Sequence, residues 1–219
     1  MILSLTEENY LKSIFHLSDN GQTAVNTNHI AGQLNTRASS VTDMLKKLSE
    51  KKLINYQRYQ GVTLTNEGRK KAIGIVRRHR LWEVFLVDKL HFGWDEVHDI
   101  AEQLEHVQSD ALTDRLADFL GNPATDPHGD LIPDKNGEFK QAKFIAVNQM
   151  AAGSTSIISG VSEHSASFLQ YLQKRDLILG KQVTLLEIIE FDGSTTLLID
   201  QTKEITISKD AAKNILVLL

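Results

Sequence analysis

Residues 27–64 read TNHIAGQLNTRASSVTDMLKKLSEKKLINYQRYQGVTL, and the hydrophobic period changes within them. Thr27 to Leu34 forms a short helix with Thr27 as a fitting N-cap. Beyond a polar turn, Val41, Met44, Leu45 and Leu48 recur at spacings of three and four, a helical stripe. Arg37, Ser39, Ser40, Thr42, Asp43, Lys46 and Lys47 supply the polar face of that helix. Two short helices joined by a tight polar turn, the second basic at its start, have the helix-turn-helix pattern. The next residues switch to short strands around Tyr59, Gln60 and Gly61, a small hairpin with a basic, aromatic tip. A helix-turn-helix followed directly by such a hairpin is a winged helix. Arg37, Ser39, Ser40, Thr42 and Lys46 are then expected to face the major groove of double-stranded DNA. Arg58 and Tyr59 are expected to lie along the backbone or minor groove.

Charge supports this placement. The whole chain of 219 residues has a net charge of -4, but residues 1–80 carry 13 Lys/Arg against 6 Asp/Glu and residues 81–219 carry 11 against 22. A basic N-terminal third suits a polyanion, and the acidic remainder does something else. The absence of cysteine excludes disulfides and thiolate metal ligands and fits a cytoplasmic protein. No segment has the length of a membrane span or the pattern of a signal peptide, so no membrane partner is expected.

Outward from the winged helix, Leu5 to Leu17 is an amphipathic helix, and a long helix can start near Thr65, Asn66 or Glu67 and run to about Leu90. The apolar surplus of LWEVFLVDKLHFGW (81–94) predicts a homodimer contact spread over residues 81–120. A further helix is expected from about Trp94 to Ser109, and another from Ser109 or Asp110 to Gly121. Residues 122–143 hold all three prolines and read as a connector. The last 75 or so residues, with TSIISGV, KQVTLLEIIEF, TTLLID, KEITISK and NILVL as strands and one helix in SASFLQYLQKRDL, predict a small β barrel. The fold class is mainly α with a small β domain, divided as 1–65, 66–143 and 144–219.

Within HDIAEQLEHV (98–107), His98, Glu102, Glu105 and His106 lie along one side of a helix. Glu102, Glu105 and His106 span just over one turn and suit one ion, while His98 belongs to a neighbouring one. His79 and Glu83 stand one turn apart on the long helix, and Asp126 and His128 sit in the connector. Imidazole and carboxylate together suit Mn, Fe, Co, Ni or Zn. The plain alternative is a solvated helix face that happens to hold two histidines among acids.

The motifs YLKSIFHL, IAGQLNTRASSVTDMLKKLSEKKLINY, GVTLTNEG, RRHRLWEVFL, VHDIAEQLEHV and DPHGDLIP occur in this order. Together with the strand-rich end, they resemble the diphtheria toxin repressor/manganese transport regulator family of metal-dependent repressors. The resemblance implies a winged helix for operator DNA, a helical dimerisation and metal-binding domain, and a C-terminal SH3-like domain related to the iron-transport protein FeoA. It also implies an activating metal site of Glu102, Glu105, His106 and Asn9. The implied ancillary site comprises His79, Glu83 and His98, with Asp126 and His128 from DPHG and Glu163 as the remaining ligand beside His164 and Ser167.

Two departures bear on the metal. Iron-responsive members carry cysteine where this chain has Glu102 and methionine where it has Asn9, so the all N/O set leans towards Mn(II) over Fe(II). Manganese-type members carry aspartate at the Asn9 position and a further glutamate where this chain has Lys12. Zn(II), Co(II) and Ni(II) are further ions for binding in vitro. The implied function is a metal-activated, sequence-specific repressor of manganese or iron uptake genes, neither an enzyme nor a binder of a small-molecule substrate. Its rivals are a small metallohydrolase using the same ligands on a water, for which no residue stands out as general base, and an architectural DNA-binding protein with a structural metal.

Overall fold

The computed structural model describes residues 2–19, 21, 23–57 and 60–219. Its helices and strands form two compact units, each with its own core. The first comprises Met1–His79, Glu102–Asp114 and Pro133–Glu138; the second comprises Arg80–Ala101, Arg115–Ile132 and Phe139–Leu219.

In the first unit, helix α1 (Leu5–Leu17) starts at a capping box: Ser4 Oγ accepts from the Glu7 amide, and the Glu7 carboxylate accepts from the Ser4 amide. Its apolar face, Tyr10, Leu11, Ile14 and Phe15, is buried. Helix α2 (Thr27–Gln33) is capped by Asn26, whose side chain accepts from the His29 amide at 2.9 Å. The cap thus lies one residue before the Thr27 expected from sequence. Helix α3 (Ala38–Glu50) buries Val41, Leu45 and Leu48, and Met44 is half-buried. Strands β1 (Ile54–Gln57) and β2 (Gly61–Leu64) pair antiparallel from Ile54 opposite Leu64 to Gln57 opposite Gly61. Val25 adds a bridge to Val62, completing the winged helix. Helix α4 (Asn66–Leu90) leaves this hairpin where Thr65 Oγ1 accepts from the Gly68 amide. Gly68 is required there, because a Cβ would stand 1.8 Å from the Leu53 carbonyl oxygen.

Helix α5 (Val97–Leu104) is shorter than the periodicity predicts, and Glu105 and His106 occupy the turn after it. The Val107 amide turns back to the Leu104 carbonyl, while the Glu105 carbonyl accepts from Arg78 Nε outside the helix. Helix α6 (Asp110–Phe119) begins with Ser109 Oγ accepting from the Leu112 amide.

The second unit has two apolar clusters. Leu81, Val84, Leu116, Ala117 and Ile132 form the smaller one, flanked by Trp82 and Phe85. The larger core, including Val147, Ile158, Leu169, Leu172, Val183, Leu197 and Val217, fills a six-stranded antiparallel sheet. The strands are β3 (Phe144–Ala146), β4 (Thr155–Val161), β5 (Gln182–Ile188), β6 (Thr195–Ile199), β7 (Lys203–Ile207) and β8 (Ile215–Leu218), in the order β3-β8-β4-β5-β6-β7. Irregular register in β4 and β5 supplies the bends that curl such a sheet into an SH3-like form. Helices α7 (Ala166–Arg175) and α8 (Lys209–Lys213) connect strands; β3 and α8 carry too few residues to show a period in sequence. Among the described residues no helix is long and apolar enough to cross a membrane.

Candidate metal centres and nucleic-acid interface

Helix α3 is anchored by its buried stripe, which turns the opposite side to solvent. Arg37, Ser39, Ser40 and Lys46 are exposed, and Thr42 is half-buried with its hydroxyl donating to the Ala38 carbonyl at 3.0 Å. Lys46 meets Asp43 at 3.3 Å in a solvated pair that holds it only weakly. A groove beside Thr42 and Lys46 is also lined by Asn26, Thr27, Asn28, Ala38 and Tyr56. Of these, Asn26, Asn28 and Tyr56 were not evident from sequence, because capping and strand alternation account for them equally well. Arg58 and Tyr59, expected at the wing tip, lie outside the described residues.

Also in the first unit, α1 faces the end of α5. The Lys12 ammonium bridges two carboxylates: it donates to Glu102 Oε1, and to Glu105 Oε2 at 2.7 Å. The same Glu105 oxygen lies 2.7 Å from His79 Nδ1. Ligand atoms of His79, Glu102 and Glu105 lie within 4.8 Å of one another, a spacing that suits a cation. Burial alone would raise the Glu105 carboxyl, but the His79 hydrogen bond and the Lys12 charge outweigh it and hold it below the ordinary range. His106 Nδ1 lies 2.6 Å from Glu8 Oε2, and Arg78 Nη2 donates to Glu8 Oε1 at 2.9 Å.

Two acceptor atoms in this region are buried without a hydrogen-bond partner: Asn9 Oδ1 and Glu105 Oε1. Neither atom can donate, and buried acceptors left unpaired are costly. An oxygen- and nitrogen-liganded dication satisfies both, so the residues present fit such an ion. The sequence does not single out Glu8 or Arg78, and Lys12 stands out in it only as a departure from the glutamate of manganese-type members. An acid in the first turn of a helix is ordinarily read as complementing the helix dipole.

In the second unit, Glu83, Asp126 and His128 form a buried cluster. Glu83 Oε1 lies 3.5 Å from His98 Nδ1, and Glu83 Oε2 lies 3.5 Å from His128 Nδ1. Asp126 Oδ1 accepts from the amides of His128 and Asp130, which shapes the DPHG turn and aims His128 inward. Gly129 closes that turn at φ +91°, where a Cβ would sit 2.1 Å from the Ser159 carbonyl oxygen of β4. His128 Nε2 lies 2.8 Å from the Trp94 carbonyl, and its ring stacks on His164 at 4.9 Å between centroids.

Burial, with the charges of Glu83 and Asp130, pushes Asp126 up to about 7. His128 is pushed up to about 9: burial opposes protonation, but the hydrogen bond and charge of Glu83 prevail. Glu163 is exposed, and its Oε1 accepts from the Ser165 amide at 2.8 Å at the start of α7. His164, its neighbour, is the residue that meets His128.

A winged helix whose first helix packs against clustered carboxylates and imidazoles, with no sulfur among the donors, defines a class: metal-responsive DNA-binding proteins. Comparison with known proteins narrows it. Residues 2–62 match the iron dependent repressor N-terminal DNA binding domain, residues 65–134 its metal binding and dimerisation domain, and residues 145–219 the FeoA domain. The iron-dependent repressor IdeR of Mycobacterium leprae is 31% identical over 168 residues, 73% of this chain and 73% of that protein. IdeR of Mycobacterium tuberculosis is 36% identical over 128 residues, covering 58% of this chain and 55% of its own length. A manganese-dependent transcriptional repressor solved in complex with manganese superposes with a TM-score of 0.86 at 34% identity, covering 97% of this chain and 99% of that one. ScaR with bound Zn2+ superposes with a TM-score of 0.75 at 32% identity, over 96% and 98% of the two chains. The chain belongs to the iron-dependent repressor family, that of the diphtheria toxin repressor and the manganese transport regulators.

Proposed function

We propose that this protein is a metal-activated repressor that binds operator DNA as a homodimer in the cytoplasm and controls genes for manganese or iron uptake. Mn(II) or Fe(II) is the activating ion. The observation that carries this reading is the position of α1. One helix of the unit that bears the recognition helix α3 presents Glu8, Asn9 and Lys12 to the region of His79, Glu102, Glu105 and His106.

Asn9, Glu102, Glu105 and His106 hold the activating ion in this reading, and the ion supplies a partner for the buried Asn9 Oδ1 and Glu105 Oε1, which have none among the described protein groups. Glu8 fixes the His106 ring through Nδ1, leaving Nε2 as the ligand atom. Glu83, His98, Asp126 and His128 form the ancillary centre in the second unit. Arg37, Ser39, Ser40, Thr42 and Lys46 contact DNA, with Arg58 and Tyr59 on the wing. Exposed Leu90, Phe92 and Phe119 in the second unit supply apolar surface for the dimer. Ordering α1 against α5 lowers the cost of presenting α3 to DNA, so metal and operator affinities rise together.

The test is anaerobic titration of binding to the upstream region of its own operon with Mn(II), Fe(II), Zn(II) and Co(II). Operator affinity is expected to rise by roughly 5–150-fold with the activating ion, the usual span of allosteric coupling. Equal affinity with and without every ion would refute the reading.

A further inference from the structure

A cleft of about 610 Å³ lies within the first unit, between α4, the start of α6 and the turn at 134–138, and holds none of the proposed metal ligands. Small-molecule sites span roughly 300–1,000 Å³. Its two sides differ in charge. The α4 wall carries Arg69, Lys70, Lys71, Arg77 and Arg78 and no acid. Facing it are Asp110 and Asp114 of α6 with Asp134 and Glu138 of the turn. Arg77 reaches across to Asp114 at 2.8 Å, and Arg78 is held by Glu8. Among the described residues Lys70, Lys71 and, on the turn, Lys135 have no ion-pair partner. The turn is shaped without any ligand: Asp134 Oδ1 accepts from the Asn136 and Glu138 amides at 2.8 and 2.9 Å. Gly137 seats it on α4, since a Cβ there would stand 3.3 Å from Ile73 Cγ2.

The α4 wall contains a second signal. Lys70, Ile73, Gly74 and Arg77 share one helical face, and that face lines the cleft. Gly74 lies inside a helix, where alanine is the more stable residue. Packing does not require it: beyond the helix's own backbone, the nearest atom to a Cβ there would be Arg78 Nη1 at 3.9 Å. The space left by the missing side chain belongs to the cleft.

We propose that this cleft binds a sugar phosphate, its phosphate held by Lys70, Lys71 and Lys135 and its hydroxyls by Asp110 and Glu138. Ammonium groups donate charge-assisted hydrogen bonds to phosphate oxygens, and carboxylates accept from sugar hydroxyls. A continuous polyanion such as a DNA strand would meet the facing carboxylates as like charge. Gly74 leaves room for the ligand against α4. The site is independent of the metal-activated reading, because no ligand assigned there lines it.

The test is calorimetric titration of the metal-free, full-length chain with ribose 5-phosphate, glucose 6-phosphate, inorganic phosphate and ribose. One of the two sugar phosphates is expected to bind once per protomer, roughly tenfold more tightly than inorganic phosphate, and ribose should give no heat. The double variant Lys70→Gln/Lys71→Gln should lose about tenfold or more in that affinity while keeping the wild-type Tm. Gly74→Ala should move two readouts in opposite directions, raising Tm while weakening sugar phosphate binding. A lower Tm for Gly74→Ala, or binding that it leaves unchanged, would overturn the proposal. So would the absence of heat with both sugar phosphates, inorganic phosphate binding as tightly as they do, or wild-type affinity in the double variant. Anisotropy with a noncognate DNA duplex separates the other source of phosphate. Weaker duplex binding by the double variant, with no sugar phosphate bound by wild type, would make these lysines DNA backbone contacts instead.

Discussion

His106 Nδ1 stands 2.6 Å from Glu8 Oε2, joining the turn after α5 to the second residue beyond Thr6 on α1. Glu8 is buried, and its other oxygen holds the Arg78 guanidinium at 2.9 Å. One carboxylate thus orients a candidate metal ligand and neutralises a buried cation. Glu8→Gln keeps the shape and removes the charge. Leaving Arg78 buried without its carboxylate is expected to cost about 3–5 kcal/mol, read from urea unfolding of the metal-free protein. Freed from Glu8, the His106 ring loses its fixed tautomer, and Mn(II) affinity is expected to fall roughly 10–100-fold by calorimetry. Unaltered unfolding and metal binding would show that the contact does neither job.

The second unit should respond to pH. Asp126 and His128 both have folded-state values above their ordinary ones, about 7 against 3.8 and about 9 against 6.5. A raised value stabilises the fold below the unfolded value and loses that contribution as pH climbs through the folded one. Metal-free protein is therefore expected to lose stability in two steps, from 3.8 to about 7 through Asp126 and from 6.5 to about 9 through His128. Mn(II) needs both groups deprotonated, so its affinity should rise across the same window and its binding should release protons. Calorimetry in two buffers of different ionisation enthalpy counts those protons; a pH-independent affinity would contradict the cluster's electrostatics.

Gly129 should tolerate no side chain. Gly129→Ala combines a positive φ with a Cβ 2.1 Å from the Ser159 carbonyl, so the DPHG turn must lift off β4 and carry His128 with it. The expected result is a lower Tm and loss of the ancillary ion. Gly121→Ala, also at positive φ but with open space around its Cβ, should cost only the backbone strain of about 1 kcal/mol. Equal melting points for the two variants would mean the close approach to β4 is unimportant.

On the recognition helix, Arg37→Ala and Lys46→Ala should separate phosphate contacts from base contacts. Loss of a phosphate contact weakens binding to all sequences and reduces the salt slope by about one, whereas loss of a bidentate base contact costs roughly 1–3 kcal/mol on the cognate operator alone. Both side chains are exposed, so neither change should alter the unfolding free energy by more than about 0.5 kcal/mol. Wild-type affinity of both variants on every DNA would remove them from the interface.

Local chemistry determined much of this protein from sequence alone. The three-and-four spacing of Val41, Leu45 and Leu48 defines α3, because a helix can bury such a stripe on only one side. The change to alternation after Leu53 marks the hairpin, and the strand segments of the last third follow from their apolar runs and turns. The types of residue able to hold a metal were legible too, since few side chains offer nitrogen or anionic oxygen. Tertiary structure alone decided which of them meet. Glu8 and His106 are 98 residues apart and Lys12 and Glu105 are 93 apart, so no periodicity connects them. Glu7 and Glu8 look alike in sequence and both are buried, yet one caps α1 and pairs with Lys51 while the other meets Arg78 and His106. The end of α5 at Leu104 was likewise set from outside the helix, by Arg78 binding the Glu105 carbonyl. Periodicity shows which face of an element is buried; the charge that a buried group meets there depends on a distant segment, and only the folded chain brings the two together.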